Sequence, residues 1–518
     1  MAKQRHYVGI DLGTTFSTLA YVDEAGTVDA LRLPDGGCAM ASAIYFRSPT
    51  DIVVGSEAIR YAVVDPTRIA QEFKREIGNA DYSFQVDGKG YRPEELSAII
   101  VKKLLDCAAA QLGPIESAVI SVPFVFDEKC RRATQNAGYI AGLKEVDLVE
   151  EPVAAAVAYG HTLMTGGGFS SIDNVFLDET VLVYDLGGGT FDATVMSLHA
   201  EKKGKFTVLA TDGDYRLGGK DWDRALEELL YEKLKAMTGT HPQYANDLGY
   251  LQDIRLKAIE AKTALSERNR TNVVIHFKDK DYTIPLPRGE FEAATTGLLR
   301  RSELTLTEMM TKNQLSWGSV DRILLVGGSS RMPMVANMIQ RVSKRTLDRS
   351  LPPDVAIAKG AALYAARNSP ATNIDVKTVN SHALGLIVNH VKTNTLMNRV
   401  ILKANQPTRS RVTRAFKVKE GQRKISLPIL LGEHKNPEMC ARLGMLSIAD
   451  LPKDLPKDAN VEVGFTFQDN GLLQIEVQIF KEPNKPIGHN FELMVEGVMT
   501  EEEVQSATET LRGIKFDE

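Results

Sequence analysis

Short apolar runs that stop at an acid and a glycine recur along the first part of this chain. In Val181–Asp192, VLVYDLGGGTFD, the run meets Asp185, then Gly187, Gly188, Gly189 and Thr190, and finally a second acid, Asp192. A short apolar run closed by turn residues predicts a strand in a sheet interior. Tyr7–Thr15, YVGIDLGTT, repeats the pattern with Asp11, Gly13, Thr14 and Thr15. One strand–Asp–Leu–Gly–Thr core at two distant places predicts two related half-domains, each offering a hairpin to a shared cleft. A third strand–glycine–helix junction is predicted at RILLVGGSSRMPMV, with Gly327, Gly328, Ser329 and Arg331 at its turn.

Between these junctions the pattern alternates between strand and helix. RPEELSAIIVKKLLDCAAAQLG predicts a helix, with Pro93 and two glutamates suited to its first turn and Gly113 to its end. ESAVISVPF predicts a strand, DEKCRRATQNAGYIAG a helix, and KEVDLVEEP a strand ending near Glu151. The segment AQEFKREIG, which contains Lys74, reads as an amphipathic helix with a solvated lysine. A helix over Leu251–Leu265 places Lys262 and Ser266 at i, i+4. LPPDVAIAKGAALYAA predicts a small-residue helix able to pack closely. Alternating strands and helices indicate an α/β domain.

The pattern changes after Arg367. NSPATNIDVKTVNSH is polar and turn-rich, as a linker would be. Short strands follow, and Asp469-Asn470-Gly471 is a hairpin turn signal. This second domain reads as all-β. MTEEEVQSATETLRG then predicts a short helix.

Composition narrows the picture. The 518 residues carry a formal net charge of −5, which argues against general nucleic-acid binding. Cys38, Cys107, Cys130 and Cys440 lack metal-ligand spacing and read as buried thiols of a reducing compartment. No signal peptide or membrane-length apolar run is visible, so the expected location is the cytoplasm. The glycine loops can aim backbone N–H groups at an anion, and Asp185 and Asp192 beside one of them call for an intervening Mg²⁺ that keeps its waters.

The series GIDLGTT, VPFVFDEKCRRATQNAG, EEPVAAAVAYG, DLGGGTFD, GDYRLGGKDWD, LLVGGSSRMP and PPDVAIAKGAA resembles, in that order, the Hsp70 (DnaK-like) chaperones of the actin-like ATPase superfamily. The resemblance implies an α/β actin-like ATPase domain, duplicated into two lobes around a nucleotide cleft, over residues 1–370. A linker (371–380), an all-β sandwich peptide-binding domain (381–497) and a helical lid remnant (498–518) would follow. By position it implies that Asp11, Asp185 and Asp192 organise Mg²⁺ through water. Gly13, Thr14, Thr15, Gly187, Gly188, Gly189 and Thr190 would hold phosphates. Lys74, Glu151, Asp185, Thr190 and Asp192 would be catalytic, while Lys262, Ser266, Gly327, Gly328, Ser329, Arg331 and Asp354 would serve the adenosine side. The implied cofactors are ATP/ADP and Mg²⁺, with K⁺ open, and the implied activity is slow ATP hydrolysis coupled to extended apolar peptides. Leu386, Phe416, Ile425 and Leu427 fall at the family's peptide cleft; by alternation alone they fit sandwich core equally well.

Three departures bear on mechanism. Ile374–Val379 replaces the family's leucine-rich linker with a thinner apolar trace, predicting weaker docking. Asp147 stands where bacterial members carry an arginine that meets J-domain partners, predicting a dedicated or absent J-protein. The tail matches only the start of the helical lid. Nucleotide-exchange factors are the other implied partner class; nucleic acid and membrane are not expected. A run of basic residues from Arg399 to Lys424 reads as a solvated strand face or as a preference for acidic client flanks. A regulatory or exchange-factor-like relative with little turnover and a small-molecule kinase on the same fold are the alternatives to this reading.

Overall fold

The computed structural model describes residues 6–165, 178–199, 204–241, 247–369, 372, 374–389, 395–418, 422–449, 451–452, 455–456, 459–482, 485–488, 492–495 and 497–516. The two glycine-loop motifs each join the strands of an antiparallel hairpin: Tyr7–Leu12 with Phe16–Val22, and Glu179–Leu186 with Phe191–His199. Each hairpin is central to a sheet of the same order. In the first sheet, Tyr7–Leu12 pairs in parallel with Ser117–Val122, which pairs in turn with Glu145–Glu150. In the second, Glu179–Leu186 pairs in parallel with Arg322–Val326, followed by Leu347–Asp348. The repeat seen in the sequence is therefore a repeat of topology.

The helices Glu151–Met164 and Ala356–Ala365 hold the two sheets together. Ala154, Ala155 and Val157 from the first helix and Ala358, Ala361 and Ala362 from the second are buried in one core with Val119, Val149, Val181 and Val183 of both sheets. The small-residue helix packs as its composition predicts. At Gly360, a β-carbon would lie 1.7 Å from the Ala154 carbonyl oxygen, so only glycine permits this crossing.

Most elements agree with the pattern reading, including the helices Pro93–Leu112, Glu128–Ile140 and Leu248–Glu267. AQEFKREIG is an exception. It forms a short strand, Ile69–Gln71, and a 3-10 turn, Phe73–Glu76, and Lys74 is only 4% exposed. The expected solvated lysine on a helix is corrected: its ammonium has a distant carboxylate partner that local periodicity does not encode.

The later strands form two facing sheets. One runs through Leu396–Leu402, Leu384–Asn389, Ile425–Leu431, Ala441–Ile448 and Glu492–Val495. The other contains Val412–Lys417, Asn460–Phe467, Leu473–Glu482 and Lys485–Gly488. Leu386, Leu427, Ile429, Val461, Phe465 and Ile479 are buried in a single core drawn from both. Asp469-Asn470-Gly471 turns between two of these strands, with Gly471 at φ 75° as the hairpin signal requires.

Both ends of this β region are woven into the α/β part. Ile374–Lys377 adds a parallel strand beside Gly204–Thr207, burying Ile374 and leaving Asp375 and Lys377 exposed. This thin apolar trace thus docks by strand pairing, with backbone hydrogen bonds supplementing apolar burial. At the other end, Thr500 caps the helix Glu501–Arg512 in a reciprocal capping box with Glu503. Ala507, Leu511 and Ile514 enter the same core as Leu96, Leu104 and Ile140. Lys515–Phe516 then pairs in parallel with Asp51–Ile52. This tail therefore packs against the first sheet's half of the molecule.

Candidate active site

Four carboxylates converge where the hairpin loops face each other. Asp11 lies near the end of the first hairpin's leading strand and accepts a hydrogen bond from Ser121 Oγ at 3.0 Å. Asp185 and Asp192 are directly paired across the second hairpin. Glu151 opens the helix that follows the strand Glu145–Glu150. Asp185, Asp192 and Glu151 are buried. Lys74 reaches into this group from the 3-10 turn, its Nζ 2.7 Å from Glu151 Oε1.

One ammonium cannot neutralise four nearby carboxylates. Burial, then the charge of Glu151, pushes the Asp11 carboxyl up to about 7, and the same causes push Asp192 up to about 8. Burial, then Glu151 and Asp192, holds Asp185 well above the usual carboxylate range. Asp185 Oδ2 and Asp192 Oδ2 are buried without a hydrogen-bond partner. Buried carboxylate oxygens left unpartnered are costly, and a hydrated divalent cation satisfies both needs. Among the described residues, no group of three or more His, Cys, Asp or Glu side chains is placed to ligate a metal directly. The donor set fits Mg²⁺ held through its own waters.

The loops supply the anion-binding surface. Gly187 N donates to Thr190 O at 3.0 Å, closing the turn. A β-carbon on Gly188 would lie 2.1 Å from Thr15 Oγ1, and one on Gly189 would lie 2.3 Å from Thr14 Oγ1. The threonines of one hairpin thus rest against the bare backbone of the other. Gly13 N donates to Ser17 Oγ at 3.2 Å.

Arg75 was not marked by the sequence, although it adjoins Lys74. Its Nε and Nη2 donate to the Gly189 carbonyl at 3.1 and 3.0 Å, and it pairs with Asp221. The Gly187 and Gly188 carbonyls accept from Gly219 N and Lys220 N, both at 2.9 Å. The available signal was GDYRLGGKDWD, whose glycine turn forms this support.

The remaining predicted residues form a separate flank. Lys262 Nζ pairs with Asp223 at 2.7 Å and donates to the Gly219 carbonyl at 3.0 Å. A β-carbon on Gly219 would meet Ser329 Oγ at 2.1 Å, which puts Ser329 beside that lysine. Ser266 Oγ donates to the Lys262 carbonyl. Gly327 follows its strand at φ 76°, where a β-carbon would lie 2.5 Å from Asp185 Oδ1, and Gly328 begins a 3-10 turn. Arg331 pairs with Asp354 at 2.6 Å, both half exposed. Leu386, Ile425 and Leu427 are buried in the sandwich core, and Phe416 is half-buried against it.

Asp147 pairs with Arg367 at 2.8 Å and accepts from Asn470 Nδ2 at 3.2 Å. The turn at Asn470 also meets the buried Arg131, whose Nη1 donates to the Asn470 carbonyl at 2.9 Å and lies 3.1 Å from Glu150. Leu473 N donates to Glu128 Oε2 at 2.8 Å.

The model of the family described as Hsp70 protein matches residues 7–511. The chaperone protein DnaK of Thermotoga petrophila is 32% identical over 491 residues, covering 92% of this chain and 79% of that relative. The chaperone protein DnaK of Thermotoga neapolitana shows the same identity and coverage. No helix among the described residues is long and apolar enough to cross a membrane. With a family match across almost its whole length and these relatives, the chain belongs to the Hsp70 family of ATP-hydrolysing chaperones.

Proposed function

We propose that residues 1–370 form two lobes that hydrolyse ATP in the cleft between their hairpin loops. In this reading 371–380 is the linker to a substrate domain at 381–497, and 498–518 belongs to the helical segment beyond it. The observation that carries the reading is the buried Lys74–Glu151 pair beside Asp185 and Asp192, whose outer oxygens are unpartnered.

Asp11, Asp185 and Asp192 would hold Mg²⁺ through its waters, and that ion, when bound, offsets the charge of the triphosphate. Phosphoryl transfer needs mainly positioning and charge neutralisation. Lys74 faces the γ-phosphate and, with Glu151, orients the attacking water. The Gly13–Thr15 and Gly187–Thr190 loops hold phosphate oxygens through N–H and hydroxyl donors. Lys262, Ser266, Gly327, Gly328, Ser329, Arg331 and Asp354 receive the nucleoside. K⁺ is a candidate second cation.

The β-sandwich takes extended apolar client segments by backbone pairing and side-chain pockets, with Phe416 the most accessible of the four cleft candidates. Linker strand pairing supports coupling between the domains and so favours the chaperone reading over a regulatory relative with little turnover. Asp147 is engaged by Arg367 and Asn470, so a J-domain reaching it would compete with the β-domain turn.

The test is single-turnover hydrolysis by the whole chain with and without a short apolar peptide. Peptide-accelerated hydrolysis that Lys74→Ala abolishes is expected. Tight ATP binding without hydrolysis would overturn the reading.

A further inference from the structure

We propose that inorganic phosphate leaves this site through a side cavity, by a route separate from that of the nucleotide. The cavity has a volume of ≈ 260 Å³, far above the roughly 10–15 Å³ needed to seat one water. Its deep end is formed by Lys74, Thr14 and Thr190, which are 4%, 7% and 8% exposed. Its mouth is formed by Tyr215, 52% exposed, and Arg216. None of the residues assigned to the nucleoside lines it. It opens from the reacting end of the site, away from the adenosine flank.

The geometry of the reaction gives this cavity a use. In hydrolysis a water oxygen bonds to the γ-phosphorus as the bond to the β,γ-bridging oxygen breaks. ADP keeps that oxygen and its electron pair, and the displaced water proton passes to solvent. Attack is in line, so the product phosphate forms on the side away from ADP. That is the Lys74 side, where the cavity begins. While ADP stays bound it blocks the way back past the nucleoside, and the cavity is the open direction.

The charges along the wall suit an anion. Lys74, Arg75 and Arg216 line the cavity, and Glu76 is its single acid. Glu76 Oε2 accepts from Asn79 Nδ2 at 2.8 Å. Arg75 is already tied to Asp221 and the Gly189 carbonyl. Arg216 differs: its guanidinium lies over the Tyr215 ring, 5.2 Å from the centroid, and among the described residues it forms no ion pair. A guanidinium with free donors at the mouth is a natural phosphate contact.

This inference rests on the assignment of Lys74 to the γ-phosphate, and the test separates the two. Inorganic phosphate is added to the ADP complex of the full chain, and its association is followed by the slowing of labelled-ADP release. Arg216→Glu should slow phosphate association roughly tenfold, because an acid at the mouth repels the incoming anion. ADP affinity and acid-quenched hydrolysis should stay within about twofold of the parent, since phosphate and nucleotide use separate routes. Arg216→Lys should restore most of the association rate. Unchanged phosphate association in Arg216→Glu would overturn the route. Undiminished phosphate binding in Lys74→Ala would instead overturn the assignment beneath it.

Discussion

The two hairpins share a topology but differ in what they contribute. The first brings one acid, Asp11, already hydrogen-bonded by Ser121, together with the hydroxyls of Thr14 and Thr15. The second brings two acids with unpartnered buried oxygens and three glycines of bare backbone. Burial and Glu151 raise the carboxyls of both sides, but only the second leaves buried carboxylate oxygens without a hydrogen-bond partner. Duplication of a fold has produced a division of labour: hydroxyl donors face a loop with no side chains, and the missing positive charge is wanted chiefly on the second side. Lys74 pairs with Glu151 of its own half, and its charge only partly offsets those of Asp185 and Asp192.

Breaking the lysine should have the largest effect. Lys74→Ala is expected to lower kcat by about 100-fold or more, as when a preorganised electrostatic group is removed, measured by single-turnover quench. An asymmetric pair of substitutions sharpens the comparison. Asp185→Asn should cost roughly tenfold more in kcat than Asp11→Asn, because Asp11 has a protein partner and Asp185 has none on its outer oxygen. Equal losses, read in a Mg²⁺ titration of both variants, would show that the two sides are equivalent after all.

The loop contact can be tested by size alone. Gly188→Ala inserts a methyl 2.1 Å from Thr15 Oγ1. It should weaken ATP binding about tenfold, or roughly 1.4 kcal/mol, by calorimetry. Thr15→Ser in the same chain should recover little, since the clashing hydroxyl remains.

The smallest effect is in stability against pH. Without metal, the Asp192 carboxyl titrates near 8 in the fold against an ordinary 3.8. A raised carboxyl pKa means the fold holds the proton more tightly than the unfolded chain does. Its contribution is full below the ordinary value and is lost as pH rises toward about 8. In EDTA, Tm should therefore fall more steeply between about pH 5 and pH 8 in the parent than in Asp192→Asn. Mg²⁺ should narrow that gap.

The legible parts of the molecule were those encoded by neighbours in sequence. Asp185, Gly187–Gly189 and Asp192 lie in one short stretch because a strand, a turn and a returning strand must be contiguous. The hairpin at Asp469-Asn470-Gly471 was readable for the same reason. Lys74 was misread locally because Glu151 is 77 residues away, and burial of a lysine depends on that partner. Arg75 went unmarked because its acceptor, the Gly189 carbonyl, is a backbone atom that no side-chain pattern announces. The segment Ile374–Lys377 was half legible: its thin apolar trace was visible, but the strand it joins, Gly204–Thr207, lies far upstream. For the tail, amphipathicity predicted a helix without naming the surface that receives it.

The pairing of Lys515–Phe516 with Asp51–Ile52 also bears on how the molecule is made. A sheet begun by residues near the start of the chain gains this strand only after residue 516 has left the ribosome. Such a contact closes a very long loop, which slows folding more than it costs in stability. During synthesis the strand Asp51–Val54 presents that side without this partner, and this edge must avoid pairing with other nascent chains until the last strand arrives.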